Sequence, residues 1–252
     1  MTSSPPYSPA STGSPFEHWH RHFQQNRDAP SALPWHEPYH LSPDEVRLAG
    51  PSIQQFQLGE WARGRGLRRR AASHPVLGTD PSFLPALELF IAEEQGHSAL
   101  LGRFLDHERI PRLDNNWLDA VFRRLRKLAG LDVCVTVLVT AEVLAMPFYA
   151  ALRDATRSPL LRAICSRILR DEAAHLKYQA LTLGLLRRPL SLVARAIRSR
   201  CHAALFRGTA LLLWQQHRSV FRAAGWTFRR FRNDAGRWFT LLLQRIEDCG
   251  RE

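Results

Sequence analysis

The sequence predicts an all-α protein, and three observations support that prediction. Apolar residues recur at helical spacing over long segments between about residue 52 and residue 212. Proline and glycine breakers separate these segments, and no Asn-Gly hairpin signal occurs in the chain. The one strand-like stretch, the β-branched run 133–140, continues as apolar sequence to Leu152, and that length favours a helix.

Composition limits the classes of protein to which the chain can belong. Its 252 residues are 45% apolar and 23% charged, ordinary values for a folded protein with a core. The four cysteines include no Cys-x-x-Cys pair, which argues against a disulfide scaffold or a zinc ribbon and favours a reducing compartment. The N-terminus lacks a signal-peptide pattern, and no apolar run reaches the roughly 18 residues of a membrane span. We therefore expect a cytoplasmic protein.

The chain divides into four segments of different composition. Residues 1–15 are rich in Ser, Thr and Pro and are expected to be disordered. Residues 16–42 combine aromatic residues, histidines and prolines, which predicts an irregular arm across the domain. His18, His20 and His22 alternate in this arm, where they either chelate a metal or form a histidine-rich surface; we favour the surface. Residues 43–188 are predicted to form the main helical domain, and residues 189–252 a basic helical extension packed on it.

Within the main domain the pattern predicts four long helices. Ser42 and Pro43 are a plausible helix start, and Ser158 and Pro159 open the fourth helix. The third helix is apolar on every face, which is typical of a central helix. The expected bounds are about 52–72, 82–107, 131–156 and 159–186, with a shorter helix at 116–128.

Two of these helices carry the same polar motif on their apolar face. Glu94 and His97 interrupt the apolar stripe of the second helix, and Glu172 and His175 interrupt that of the fourth. A Glu-x-x-His spacing places both side chains on one side of a helix, here the side that points inward. The sequence therefore predicts two inward-facing Glu–His pairs.

Two further glutamates are expected in the same interior. Glu142 is the only charged residue between Asp132 and Arg153 in the central helix, and Glu60 lies mid-stripe in the first helix. A buried carboxylate is costly unless it is paired or binds a metal. Because no lysine or arginine lies at the inner positions, two divalent or trivalent cations would neutralise this set.

This order of ligands resembles the ferritin-like di-iron carboxylate superfamily, in which single Glu residues alternate with Glu-x-x-His motifs on four helices. The resemblance covers about residues 54–186 and implies an antiparallel four-helix bundle, here with additional C-terminal helices and an irregular N-terminal arm. It implies a centre of two Fe ions, or of Fe and Mn. The implied metal ligands are Glu60, Glu94, His97, Glu142, Glu172 and His175.

The same resemblance implies partners for the two imidazoles. In similar enzymes the acid before each ligand Glu contacts the ligand His of the opposite motif, so that Asp171 would orient His97 and Glu93 would orient His175. In the alternative interpretation, both acids are simply solvated residues at the flanks of their helices. Tyr149 and Tyr178 are either redox-active or second-sphere tyrosines, or ordinary core residues.

The resemblance implies an oxidoreductase that activates O₂ or peroxide and oxidises an unidentified small-molecule or lipid-like substrate, with an unidentified electron donor. Its alternatives are an iron-handling ferroxidase and a metal-free helical interaction protein that uses a basic face. That face is suggested by the charge: the net charge is +12, and residues 181–252 alone contain 14 Arg against four acidic residues.

Within this basic third, residues 218–239 alternate arginine with aromatic residues. The alternation is consistent with an amphipathic cap on the bundle, with peripheral contact with an anionic membrane, or with binding of single-stranded nucleic acid. A homodimer is a further expectation.

Overall fold

The computed structural model describes residues 14–28, 32–60, 64–114 and 130–251. Helix is the only regular secondary structure in these ranges, which confirms the predicted all-α class. The predicted helix at 116–128 and nearly all of the predicted tail at 1–15 lie outside the described residues. The helices are α1 (Glu17–Asp28), α2 (Pro43–Glu60), α3 (Arg65–Ala72), α4 (Phe83–His107), α5 (Leu131–Ala155), α6 (Pro159–Arg187), α7 (Leu192–Ala223) and α8 (Phe228–Arg251).

The expectation of an irregular arm over residues 16–42 is wrong for the part that forms α1. This helix packs against α4 and buries Phe23, so tertiary contact stabilises a segment with only a sparse apolar pattern. The helix also separates the three alternating histidines. His18 and His22 stack on one side at a ring-centroid distance of 6.4 Å, and His20 points elsewhere.

The single first helix predicted at 52–72 is also wrong, because two helices occupy this segment. α2 begins at Pro43, where Ser42 and Glu45 exchange backbone-to-side-chain hydrogen bonds of 3.0 and 3.3 Å as a capping box. Gly64 has a φ of 60° and starts α3. A Cβ atom at this position would lie 2.6 Å from Ile91, so both the conformation and the space require glycine.

The next three predicted helices are present with nearly the predicted bounds as α4, α5 and α6. Ser158 caps α6 by accepting a hydrogen bond from the Leu161 N–H at 3.2 Å. Among the described residues α5 is the one helix long and apolar enough to cross a membrane, but 78% of its apolar window is buried inside the protein. That burial is typical of a central helix in a packed core.

Helix contacts place a shared interior between α2, α4, α5 and α6. α2 packs on α4, α4 contacts α6, and α6 packs along α5. Phe56 of α2 stacks on Phe148 of α5 with a centroid distance of 3.6 Å. α7 covers α5 and α2, and α8 packs closely on α6, where a Cβ atom at Gly184 would lie 2.7 Å from Cys249 Cβ.

The basic C-terminal third presents its aromatic residues inward. Phe221, Trp226, Phe231 and Phe239 are buried, whereas the arginines between them are exposed. Phe228 is the exception, with 40% of its surface exposed. Over residues 218–239 the Arg–aromatic alternation is therefore mainly that of an amphipathic cap.

Candidate metal centre

The six metal ligands predicted from the sequence meet in the interior between α2, α4, α5 and α6. They form two groups of four, and within each group one ligand atom per residue lies within 4.8 Å of the others. Glu94 and Glu172 belong to both groups, so each can contact two neighbouring cations. The groups are Glu60, Glu94, His97 and Glu172, and Glu94, Glu142, Glu172 and His175.

Local helix geometry explains why these side chains converge. In α4 and in α6 the Glu and His lie three residues apart, so both point from one side of the helix toward the interior. Glu142 lies near the middle of α5, which is buried on most sides. Glu60 is the last residue of α2. Four separate helices therefore supply ligands to one small volume.

Each imidazole is held by a carboxylate from the opposite helix. His97 Nε2 lies 3.2 Å from Asp171 Oδ2, and His175 Nε2 lies 2.8 Å from Glu93 Oε2. Both contacts are those predicted from the sequence. Asp171 is itself buried and lies 3.7 Å from the Arg167 guanidinium. These contacts leave Nδ1 of each imidazole facing the interior, where it is free to bind a cation.

The inward-facing nitrogens lie among the ligand carboxylates. His97 Nδ1 is 3.6 Å from Glu172 Oε1. His175 Nδ1 is 2.8 Å from Glu94 Oε1 and 3.6 Å from Glu172 Oε2. The ring centroids of the two imidazoles are 5.6 Å apart. Two nitrogen donors and four carboxylates thus surround a space of the size of a dinuclear centre.

Several buried polar atoms in this space make no hydrogen bond of good geometry with the described residues, even where a charged atom lies near. Six such atoms belong to five of the six candidate ligands. Buried polar atoms in folded proteins are nearly always hydrogen-bonded, because an unsatisfied one is costly. Cations would satisfy the whole set, which comprises Glu94 Oε1, His97 Nδ1, Glu142 Oε2, Glu172 Oε1 and Oε2, and His175 Nδ1.

The pKa values in the site respond to burial and to mutual contact. Burial and the like charges of Glu172 and Glu94 raise the pKa of Glu142 well above its usual value. For Glu172, burial acts in the same direction, but the nearby His175 and His97 imidazoles outweigh it and lower the pKa to about 2. Burial alone would lower the pKa of His97, yet its contacts with Asp171 and Glu172 raise it to about 10.

These shifts favour the protonated forms of the His97 imidazole and of the Glu142 carboxyl. The pKa of His175 is also raised, because its contacts with Glu172 and Glu93 outweigh burial. For Glu60, burial and the neighbouring Glu94 raise the pKa. A cation at this site would compete with those protons, so metal binding is expected to release them.

The two tyrosines considered from the sequence differ in their surroundings. The Tyr149 hydroxyl donates a hydrogen bond to Glu60 Oε1 at 2.9 Å, and burial raises the pKa of this phenol. Tyr178 lies instead in an aromatic cluster, with ring centroids 5.4 Å from Phe23 and 5.5 Å from Phe90. Only Tyr149 therefore contacts a candidate ligand directly.

Two further residues contact the site and were not predicted. Gln179 Nε2 donates a hydrogen bond to Glu142 Oε1. Because Gln179 follows His175 by four residues, its place on the inward face of α6 was available from the spacing. Asn26 of α1 donates to Glu93 Oε1 at 3.2 Å. The contact of Asn26 with Glu93 was not predicted, because the segment that contains Asn26 was expected to be irregular.

A narrow apolar cavity lies beside the centre, between α3, α4, α5 and α6. Gln179 lines it and also contacts Glu142, so the cavity approaches the metal ligands from one side. Nearly all of its wall is hydrocarbon. The lining residues include Leu67, Phe83, Leu87, Phe90, Val135 and Tyr178.

Comparisons with protein-family models, with curated proteins and with solved structures find no match to this chain. The family resemblance therefore depends on the motifs alone.

Proposed function

We propose that this chain is an oxidoreductase with a di-iron or Fe/Mn centre that activates O₂ or peroxide. The observation that supports this most directly is the pair of four-residue groups that share Glu94 and Glu172 and contain the buried atoms without partners. In this proposal α2, α4, α5 and α6 are the antiparallel four-helix bundle of a ferritin-like fold. The remaining helices are additions to that bundle.

The ligand chemistry favours iron or manganese. Four carboxylates and two imidazoles form a hard, oxygen-rich donor set, and neither candidate group contains a cysteine. Two divalent cations would bring four positive charges, which balance four ionised carboxylates. Copper and zinc sites more often rely on softer or more nitrogen-rich ligands.

Each side chain would have a definite part in the centre. Glu60 and His97 would hold one cation, Glu142 and His175 the other, and the two shared glutamates would contact both. When bound, the two metals supply the electrons that reduce O₂ or peroxide. Asp171 and Glu93 keep Nδ1 of the imidazoles directed inward by binding Nε2. Tyr149 holds a phenolic proton 2.9 Å from a Glu60 oxygen, where it can be passed to that carboxylate.

The surroundings of the centre favour an apolar substrate. The hydrocarbon wall of the neighbouring cavity suits a small apolar molecule or part of a lipid-like one, but the cavity is only about 10 Å³ and would have to widen before such a substrate entered. Phe23 and Phe90 pack against His175 with centroid distances of 5.8 and 4.8 Å, so they shield that imidazole from solvent.

The proposal is tested by O₂ consumption after anaerobic loading with Fe(II). We expect the wild-type chain to consume O₂ and the Glu94→Ala variant to lose this uptake at least tenfold. Glu88→Ala is the matched control, because Glu88 is an exposed glutamate of the same helix that pairs with Arg68. Equal uptake by wild type and Glu94→Ala would contradict the proposal.

The same assay separates an oxidase from a ferroxidase. A ferroxidase continues to oxidise Fe(II) when more than the two ions of the centre are supplied. An oxidase stops after its own metals are oxidised and resumes only with a reductant and a substrate. We expect the second behaviour, since the cavity beside the centre is apolar rather than lined by the acidic residues that would conduct iron.

A surface that favours action at an anionic membrane lies outside the predicted 218–239 segment. The outer face of α7 exposes large apolar side chains, led by Leu192 and Val193 at 78% and 70%. α7 contains no acidic residue, and Arg200 and Arg207 lie on the same exposed face. Apolar residues flanked only by arginine are typical of a helix that binds an anionic bilayer surface. A second copy of the chain would bring arginine against arginine at this face.

We expect the full chain to float with vesicles that contain phosphatidylserine and to remain unbound with pure phosphatidylcholine vesicles. Ile197→Asp, on the exposed face of α7, should reduce flotation severalfold. Phe228→Asp, an exposed aromatic residue within 218–239, is the matched control and should retain it. A dimer in solution that binds neither kind of vesicle would contradict membrane docking and would identify the face as a homodimer interface.

A further inference from the structure

A second group of potential metal ligands lies at the end of α4, away from the buried centre. It consists of His40, from the segment before α2, and of His107 and Glu108. His107 Nδ1 is 3.1 Å from Glu108 Oε1, and His40 Nδ1 is 3.6 Å from Glu108 Oε2. None of the three takes part in the proposed di-iron chemistry.

The spacing of these atoms suits a small divalent cation. Zinc binds imidazole nitrogen and carboxylate oxygen at about 2.0–2.2 Å, which places donor atoms of a tetrahedral site roughly 3.3 Å apart. The two observed distances lie on either side of that value. Two imidazoles and one carboxylate are also a common three-ligand set for zinc, with a fourth position for water.

The surrounding residues hold the three ligands in place. The Glu108 side chain is only 2% exposed, and the Leu41 N–H donates to its Oε2 at 2.9 Å. Directly after it, Arg109 adopts a φ of 56°, and the Ile110 N–H closes the end of α4 on Leu105 O at 2.8 Å. A nearly buried carboxylate is thus aimed at two imidazoles from a rigid helix end.

The two imidazoles are also ordered by ring contacts. Their planes are stacked at a centroid distance of 4.8 Å, and Trp35 packs edge-on against His107 at 6.1 Å. The Arg103 guanidinium lies 3.9 Å from the centre of the Trp35 ring. Because both imidazoles already lie beside the same carboxylate, the three side chains would move little when a metal binds.

We propose that His40, His107 and Glu108 bind one Zn²⁺ ion, with water as the fourth ligand. The ion would link the segment 32–41 to the end of α4 through metal–ligand bonds, which are stronger than the hydrogen bonds that now join them. α1 precedes this segment, packs on α4, and contacts the buried centre through Asn26 and Phe23. Zinc would therefore stabilise the N-terminal region that covers the proposed di-iron centre.

The test is a zinc titration of the full chain by isothermal titration calorimetry, after its buried centre has been loaded with iron. We expect His107→Ala and His40→Ala each to bind one zinc fewer than wild type. His36→Ala is the matched control, since His36 is an exposed histidine of the same segment outside the cluster, and it should bind as wild type does. Zinc entering the buried centre adds equally to all four proteins, so the difference between them is independent of the di-iron proposal.

Co²⁺ provides a second readout, because a tetrahedral site gives visible absorption that hydrated Co²⁺ lacks. We expect this absorption in wild type and His36→Ala and its loss in His40→Ala, whose exposed side chain is replaceable without unfolding the protein. Unchanged zinc stoichiometry in both cluster variants would overturn the proposal. An equal loss in His36→Ala would overturn it too.

Discussion

Helix α5 carries two carboxylates ten residues apart in sequence, the partly buried Asp132 and the buried Glu142, and their charges are balanced in different ways. Asp132 contacts Arg187 at 2.9 Å and Arg198 at 2.7 Å, so arginines of α6 and α7 neutralise it. Among the described residues, no arginine pairs with Glu142. It receives a hydrogen bond from Gln179 and otherwise lies near the carboxylates of Glu94 and Glu172 and the imidazole of His175.

The difference shows which site is complete within the chain. Two arginines satisfy the Asp132 carboxylate, and Arg187 is further ordered by a 2.8 Å hydrogen bond to Thr136, although its Nη1 has no hydrogen-bond partner in the described part of the chain. The Glu142 cluster instead leaves carboxylate oxygens and imidazole nitrogens without hydrogen-bond partners there. A buried acidic site that no arginine of the described residues neutralises is what a metal centre requires before its cations bind.

The largest effect is expected at the arginine-paired site. Asp132→Asn should lower the free energy of unfolding by about 3–5 kcal/mol, because it leaves the buried Arg187 guanidinium without its counter-charge. Urea unfolding of the metal-free protein measures this change. Arg162→Gln, at an exposed arginine of α6, is the control and should change it little. A loss below about 1 kcal/mol would show that the Asp132 cluster contributes no more than a surface ion pair.

His202 contacts α5 between these two regions and gives a smaller, pH-dependent effect. Its Nε2 lies 3.1 Å from Thr140 Oγ1, and burial, aided by the nearby Arg187, lowers its pKa from 6.5 to about 4. Below pH 6.5, His202 therefore binds a proton in the unfolded chain but stays neutral in the folded chain. Stability should fall by about 1.4 kcal/mol per pH unit from this residue, and the loss is complete only as the pH passes through the folded-state pKa.

His202→Gln removes the titrating group and keeps a side chain able to hydrogen-bond Thr140. Urea unfolding between pH 7 and pH 4.5 should then show a shallower loss of stability than wild type over the same range. An exposed histidine provides the control, and His36→Gln should leave the wild-type slope unchanged. The same slope in His202→Gln and wild type would mean that His202 accepts its proton in the folded protein.

The smallest change in the metal-free protein is expected at Glu142. Burial and like charges raise the pKa of Glu142 and so favour its neutral carboxyl form, which the amide of Glu142→Gln resembles in shape and charge. The free energy of unfolding should change by less than about 1 kcal/mol. Fe(II) should stabilise wild type but not this variant, as followed by the thermal midpoint with and without metal. A loss as large as that of Asp132→Asn would remove the contrast between the two sites.

Most of the candidate site could be predicted from the sequence, because its ligands are polar residues at helix positions where apolar residues are expected. Glu94, His97, Glu172 and His175 lie where apolar residues belong, and helix periodicity determines the direction in which they point. The partners of the two imidazoles followed from the family resemblance, and the structure contains both contacts.

The remainder depends on tertiary contacts that periodicity does not encode. The α1 helix is stabilised by packing on α4, which its sequence pattern does not indicate. The hydrogen bond from Asn26 to Glu93 could therefore not be predicted. The break before α3 depends on Ile91 of another helix, which leaves no room for a side chain at Gly64. The 218–239 segment alternates arginine and aromatic residues, and only the packing of α8 shows that most of those aromatic rings face inward.

The most direct test of the account is the metal content of the purified chain, measured by elemental mass spectrometry without chelators and compared with the Glu142→Ala variant. We expect about two iron atoms per chain, or one iron and one manganese, and their loss in the variant. Arg162→Gln serves as the control and should keep its metal. A wild-type chain that is free of metal, and that stays so after anaerobic loading with Fe(II), would contradict the account.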